Sequence, residues 1–181
     1  MSMHITTYSK VHFTPLEPKE EEILLDDIVH AQSLMTRANG HFPEFYSVAQ
    51  HSIACGKEAA ARKYSDRIVL ACLLHDGSEA YLSDITRPVK KELEAYKKIE
   101  ETLQNAIYRR FLGSLPSEEE RKAVKSVDDA CLYYEFLHYM GEALEKEPPQ
   151  KCSEMVFEAI PFAQAEAELR EMIERYLKKT G

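Results

Sequence analysis

Residues Ile68-Val69-Leu70-Ala71-Cys72-Leu73-Leu74 form an unbroken apolar run that closes on two ionisable residues, His75-Asp76. A run of this kind belongs inside a fold, so it carries an imidazole and a carboxylate to the edge of the core. Burying such groups costs on the order of several kcal/mol unless they are paired or metal-bound. A capped helix end with a solvated aspartate would meet that cost, and a lone His-Asp dipeptide often arises by chance. Two further residues point elsewhere. His51 lies among Val48, Cys55 and Ala59 at helical spacing and therefore faces inward. Asp128 falls on or beside the stripe of Val124, Val127, Cys131, Leu132 and Glu135, with no Lys or Arg three or four residues later to balance it. His51, His75, Asp76 and Asp128 can supply nitrogen and oxygen donors to one divalent transition metal, a set suited to Mn, Fe, Co, Ni or Zn.

Helical patterning runs through nearly the whole chain and predicts an all-α fold, a helical bundle with a short extended N-terminal arm. The arm covers 1–25, where Ile5 to Phe13 is β-prone and Pro15 and Pro18 break any helix; a hairpin with Ile23-Leu24-Leu25 is one way to pair it. Asp26 or Asp27 is placed to cap a first helix to about Arg37, Ser47 a second to about Tyr64, and Ser65-Asp66 a third ending near Asp76-Gly77. Pro88 opens a long helix to Leu112, stopped by Gly113 and Pro116. Ser117 and Glu120 form a capping box for another, to about Glu145. A last helix carries Leu169, Met172, Ile173, Tyr176 and Leu177. The expected organisation is one domain over 1–181, with the metal-site core at 26–146 and a C-terminal helical segment at 150–181. A chain of 181 residues suits one buried core and is short for two.

A formal charge of −8 argues against long nucleic acid as a partner, because a phosphate backbone calls for a basic face. No stretch approaches the ~20 apolar residues that span a bilayer, and no basic-then-apolar leader opens the chain. Cys55, Cys72, Cys131 and Cys152 are widely spaced and read as reduced residues of a cytoplasmic protein.

His51 in Tyr46-Ser47-Val48-Ala49-Gln50-His51-Ser52, then Leu73-Leu74-His75-Asp76-Gly77-Ser78-Glu79-Ala80-Tyr81, then Asp128, together resemble the HD-domain metal-dependent phosphohydrolases. The likeness extends over roughly Asp26 to Glu135 and is greatest to small bacterial and phage 5'-deoxynucleotidase-type and dNTP-hydrolase-type proteins. It implies an HD-type bundle with His51, His75, Asp76 and Asp128 as metal ligands. Asp128 rather than Asp129 matches the motif. Members with two metals carry further histidines after the His-Asp pair, whereas no histidine separates His75 from His138, so a single ion is expected.

The resemblance also implies a catalytic role for Glu79, three residues after Asp76, and for Asp84 beside the attacking water; Asp84 reads equally well as a turn aspartate before Pro88. Arg37 lies near the family's phosphate-gripping position, although Ala38 follows it where relatives carry an aromatic. Lys90 is a second phosphate-binding candidate, His41 a weaker substrate contact, and Phe42, Phe45, Tyr46 and Tyr81 are left unassigned. With Arg37 and Lys90 as the cations at hand and no glycine-rich phosphate loop, one phosphate is the better match. The expected activity is removal of the 5'-phosphate from deoxynucleoside monophosphates. Triphosphate hydrolysis and a non-catalytic nucleotide sensor are the alternatives. The expected partners are a small nucleotide and further copies of the chain, as a homo-oligomer and most simply a dimer, with neither long nucleic acid nor membrane.

Overall fold

A computed structural model of the chain describes residues 4–180. It is all-α apart from one small hairpin. Strand β1 (Ile5–Thr6) pairs antiparallel with β2 (His12–Phe13), Ile5 opposite Phe13. The arm therefore pairs within itself and not with Ile23–Leu25. Asp27 explains the difference: it does not cap a helix but accepts the Ser9 backbone N–H at 2.7 Å, which holds the hairpin turn against α1 (Leu25–Leu34).

The central helix is α2 (Val48–Ala61), buried on almost every face and packed against α1, α3 (Asp66–Leu74), α7 (Glu118–Met140) and α8 (Phe162–Thr180). Its start is fixed by a capping box: the Gln50 N–H donates to Ser47 Oγ, and the Ser47 N–H to Gln50 Oε1. Ser117 and Glu120 repeat the device at α7. Gly56 lets α2 approach its neighbours closely. A Cβ there would lie 2.8 Å from Leu73 Cγ on α3 and 3.3 Å from Met172 Cε on α8.

The chain departs from its sequence patterning at three places. One turn of helix, α4 (Glu79–Leu82), follows the His-Asp pair. The helix expected from Pro88 to Leu112 is two, α5 (Arg87–Glu92) and α6 (Glu94–Leu112), because Leu93 takes a non-helical ψ of 72°. α7 stops at Gly141, whose left-handed φ of 65° ends the helix ahead of Pro148. α8 begins directly after Pro161 and buries Ala165, Leu169, Met172 and Ile173 in the same core as α2 and α3. Cys55, Cys72 and Cys131 are buried and Cys152 is exposed, all as free thiols. No helix among the described residues is long and apolar enough to cross a membrane.

Candidate metal centre

The end of α3 is held open by glutamines. Gln104 Nε2 of α6 donates to the Leu74 carbonyl and Gln32 Nε2 of α1 to the Asp76 carbonyl, each at 2.8 Å. The same two carbonyls also accept backbone N–H groups, Leu74 from Gly77 at 2.9 Å and Asp76 from Glu79 at 3.1 Å, so the turn after α3 is tied both locally and to its neighbours. His75 and Asp76 consequently leave the helix at a fixed angle, facing His51 on α2 and Asp128 on α7.

The four side chains converge. His51 Nε2 lies 3.2 Å from His75 Nε2, 3.2 Å from Asp128 Oδ1 and 3.7 Å from Asp76 Oδ2. His75 Nε2 lies 3.3 Å from Asp76 Oδ1 and 3.7 Å from Asp128 Oδ1. Donors bonded to one ion at roughly 2.0–2.2 Å sit about 3 to 3.5 Å apart, close to this spacing.

Proton placement strengthens the fit. His51 Nδ1 lies 2.5 Å from Glu135 Oε1, and His75 Nδ1 lies 2.7 Å from the Cys72 carbonyl. Both acceptors require an N–H, so each neutral imidazole carries its proton on Nδ1 and turns an Nε2 lone pair inward. Two lone pairs and two carboxylates cannot face one another without a positive charge between them. Burial and Arg37 oppose the His51 imidazolium, yet Glu135 and Asp128 hold its pKa well above the ordinary value. Burial likewise works against the Asp128 carboxylate, but His51 and His75 keep it well below the carboxylate range. The donor set fits a divalent metal.

Cys55 is a donor that sequence reasoning placed simply in the core. Its Sγ lies 3.5 Å from His51 Nε2, and with His51 and His75 it makes a buried cluster that could hold an ion. Burial, then neighbouring Cys131, pushes the thiol well up, so it holds its proton. Asp128 Oδ1 lies closer to His51 Nε2, at 3.2 Å, and Asp76 Oδ1 lies 3.3 Å from His75 Nε2, so the two carboxylates are the stronger candidates.

Three other residues shape the centre without having been singled out. Glu135 is fully buried on α7, two turns after Asp128, and binds both His51 and Arg37. A glutamate within an apolar stripe was the signal for it. Arg87 of α5 supplies the cation that Asp128 lacks on its own helix, 2.9 Å from Asp128 Oδ2 and 3.2 Å from Asp129 Oδ1. Asp129 is otherwise turned to Lys125. Arg121 lines both grooves beside His75.

Arg37 is buried, 3.6 Å from Asp76 Oδ2 and 3.4 Å from Glu135 Oε2. Its N–H meets the Tyr46 carbonyl, and the turn beyond it is left-handed at Ala38, Asn39 and Gly40. Glu79 is buried, with Oε2 unpartnered among the described residues. Burial first, then Asp76 and Asp84, pushes its carboxyl well above the usual range, which favours the protonated form. Asp84 is half-buried and makes no hydrogen bond or ion pair among the described residues. Ser83 between them takes a φ of 78°, a strained turn of about 1–3 kcal/mol held by the Tyr96 hydroxyl on its carbonyl at 2.8 Å. Lys90 lines a groove of about 250 Å3 with His75 and Asp76, and is paired to Glu100 at 2.6 Å. His41 is exposed.

Residues 36–147 match the family model described as an HD domain. The chain belongs to the HD domain family. Similar proteins include the uncharacterized protein YfdR of Escherichia coli, 34% identical over 59% of this chain and 57% of its own length. An uncharacterized protein of Rhodobacter capsulatus is 33% identical over 62% and 61%. A 5'-deoxynucleotidase of Pectobacterium atrosepticum is 32% identical over 52% and 61%. The matches thus span about three fifths of the relatives' own length.

Proposed function

We propose that the chain is a metal-dependent phosphohydrolase that removes the 5'-phosphate of deoxynucleoside monophosphates. The observation that carries this reading is the meeting of two inward imidazole lone pairs and two carboxylates next to a buried Glu79 whose Oε2 has no partner among the described residues. A passive metal cage has no use for a buried, unpartnered carboxyl beside it, whereas ester hydrolysis must protonate a leaving oxygen. His51, His75, Asp76 and Asp128 are the proposed ligands. A divalent ion held by them would polarise a phosphoryl oxygen or lower the pKa of a water.

The remaining roles belong to the chain itself. Arg37, held below the cage by Asp76 and Glu135, offsets negative charge that builds on the phosphoryl group. Asp84 orients a water and takes one of its protons as the water oxygen bonds to phosphorus and the bond to the 5'-oxygen breaks. Glu79 delivers its proton to that departing oxygen.

The count of cations no longer separates one phosphate from three. The 250 Å3 groove adds Lys97 and Arg121 to Lys90. That feature favours triphosphate hydrolysis as the second reading, and the name of the Pectobacterium relative favours the monophosphate. The deciding experiment is a matrix of Mn, Fe, Co, Ni and Zn against deoxynucleoside mono- and triphosphates, with phosphate, pyrophosphate and triphosphate measured separately. Phosphate released fastest from monophosphates supports the proposal. Pyrophosphate or triphosphate as the main product selects the second reading, and tight binding without turnover leaves a nucleotide sensor.

A further inference from the structure

Two grooves open on His75. One, of about 250 Å3, includes Asp76, Lys90 and Gln104. The other, of about 270 Å3, includes Tyr108, Val124 and Asp128. The residues common to both are His75 and Arg121. A phosphate held against the cage, with its leaving group lying in either groove, would therefore pass Arg121.

Charge pairing sets this residue apart. Among the described residues, each other cation around the cage already has a carboxylate: Lys90 with Glu100 at 2.6 Å, Lys97 with Glu94 at 2.5 Å, Lys125 with Asp129 at 2.7 Å, and Arg87 with Asp128 at 2.9 Å. Arg37 is buried, paired to Asp76 and Glu135, and lines neither groove. Arg121 has no carboxylate within 4.0 Å among the described residues. Its Nε donates to the Pro116 carbonyl at 3.2 Å and its Nη2 to Asn105 Oδ1 at 3.3 Å. Two neutral acceptors thus fix the plane of an exposed guanidinium and leave its charge uncompensated. Pre-orienting the planar fork reduces the entropy lost when it grips an anion.

We propose that Arg121 is the substrate-anion residue of this site, taking oxygens of a phosphate monoester from the groove side. The proposal rests on the phosphohydrolase reading for its substrate class, but not on which ester is cleaved. Inorganic phosphate is the probe, titrated calorimetrically into metal-loaded protein with metal content measured in parallel. Arg121→Ala should weaken phosphate binding about tenfold or more, the effect of losing one charged hydrogen-bonded contact, at unchanged metal content and melting temperature. Arg121→Lys should recover part of the affinity, as a point charge without the fork. Lys122→Ala, one residue along the exposed face of α7, should bind as wild type. In turnover, Arg121→Ala should raise KM at least tenfold while kcat falls less. Phosphate affinity within twofold of wild type in Arg121→Ala, an equal loss in Lys122→Ala, or no phosphate binding by the metal-loaded wild type would each overturn the proposal. Arg121-dependent phosphate binding by a protein that hydrolyses no nucleotide would remove the nucleotidase reading and support this one.

Discussion

Asp128 and Asp129 are neighbours on one helix with opposite surroundings, and that contrast governs what each substitution does. Asp128 turns Oδ1 toward His51 and His75, while Asp129 meets the cations Arg87 and Lys125 at the surface. Asp128→Ala should abolish bound metal by elemental analysis, along with activity, whereas Asp129→Ala should leave both nearly intact. The reverse pattern would move the ligand one position along the chain. Glu79 gives a cleaner test because its surroundings favour the neutral form. Glu79→Gln keeps its shape and supplies a neutral group, so metal content and melting temperature should stay at wild-type values. What it removes is a transferable proton, which should lower kcat roughly a hundredfold or more. Unchanged turnover would place the acid elsewhere, with Asp84 the first alternative. The four convergent side chains were legible in the sequence because apolar periodicity gave the inward facing of His51 and Asp128, and the family motif supplied the roles proposed for all four. Glu135, Arg87 and Arg121 were hidden because their partners come from other elements, 84, 41 and 16 residues away.

Elements translate local signals unevenly. The Ser47 cap and the Ser117–Glu120 capping box formed as the sequence indicates, since the partners of each lie within one turn. The break at Leu93 and the inward pairing of the hairpin answer to contacts made elsewhere in the fold, which periodicity does not record. Gly56 is a further residue whose reason lies outside its own helix. Gly56→Ala would gain about 1 kcal/mol of helix propensity, but its methyl would press on buried Leu73 near the branch point, where the side chain has little room to move. Overpacking of that kind costs about 1–3 kcal/mol, so the clash should win and lower the melting temperature by a few degrees. Leu73 lies two residues before His75 and Gly56 five after His51, so forcing α2 from α3 also spreads the cage. Metal affinity should fall with the melting temperature, both read on one preparation. A rise in melting temperature with unaltered metal binding would show that the two helices have slack at this crossing.

At the scale of the whole molecule, the last helix is tied to the rest by a long non-helical passage over 141–161 that a single carboxylate anchors. Glu58 of α2 is fully buried and accepts the Ser153 N–H at 2.8 Å, the Ser153 hydroxyl at 2.7 Å, the Cys152 N–H at 3.0 Å and Arg62 Nε at 2.7 Å. Arg62 then reaches the Gln150 carbonyl at 2.6 Å. Gln50 and Tyr139 hold the Glu158 and Phe157 carbonyls further along, leading the chain into α8, whose Met172 closes over Gly56. Burial alone would raise the Glu58 pKa, but the bonds from Ser153, Arg62 and Cys152 outweigh it and lower the value in the folded protein. The sign follows from that direction. An unfolded glutamate titrates near about 4.3, so Glu58 contributes its full stabilisation above that pH and loses it as the pH falls through the lower folded value. Glu58→Gln should therefore cost about 1–3 kcal/mol at pH 7, the scale of charged hydrogen bonds. Urea denaturation repeated at steps down to about pH 3 should show the gap between variant and wild type closing as the wild-type carboxylate takes up its proton. A gap that stays constant across that range would mean the passage is held by packing and not by the Glu58 charge, with α8 anchored by its own buried face of Ala165, Leu169, Met172 and Ile173.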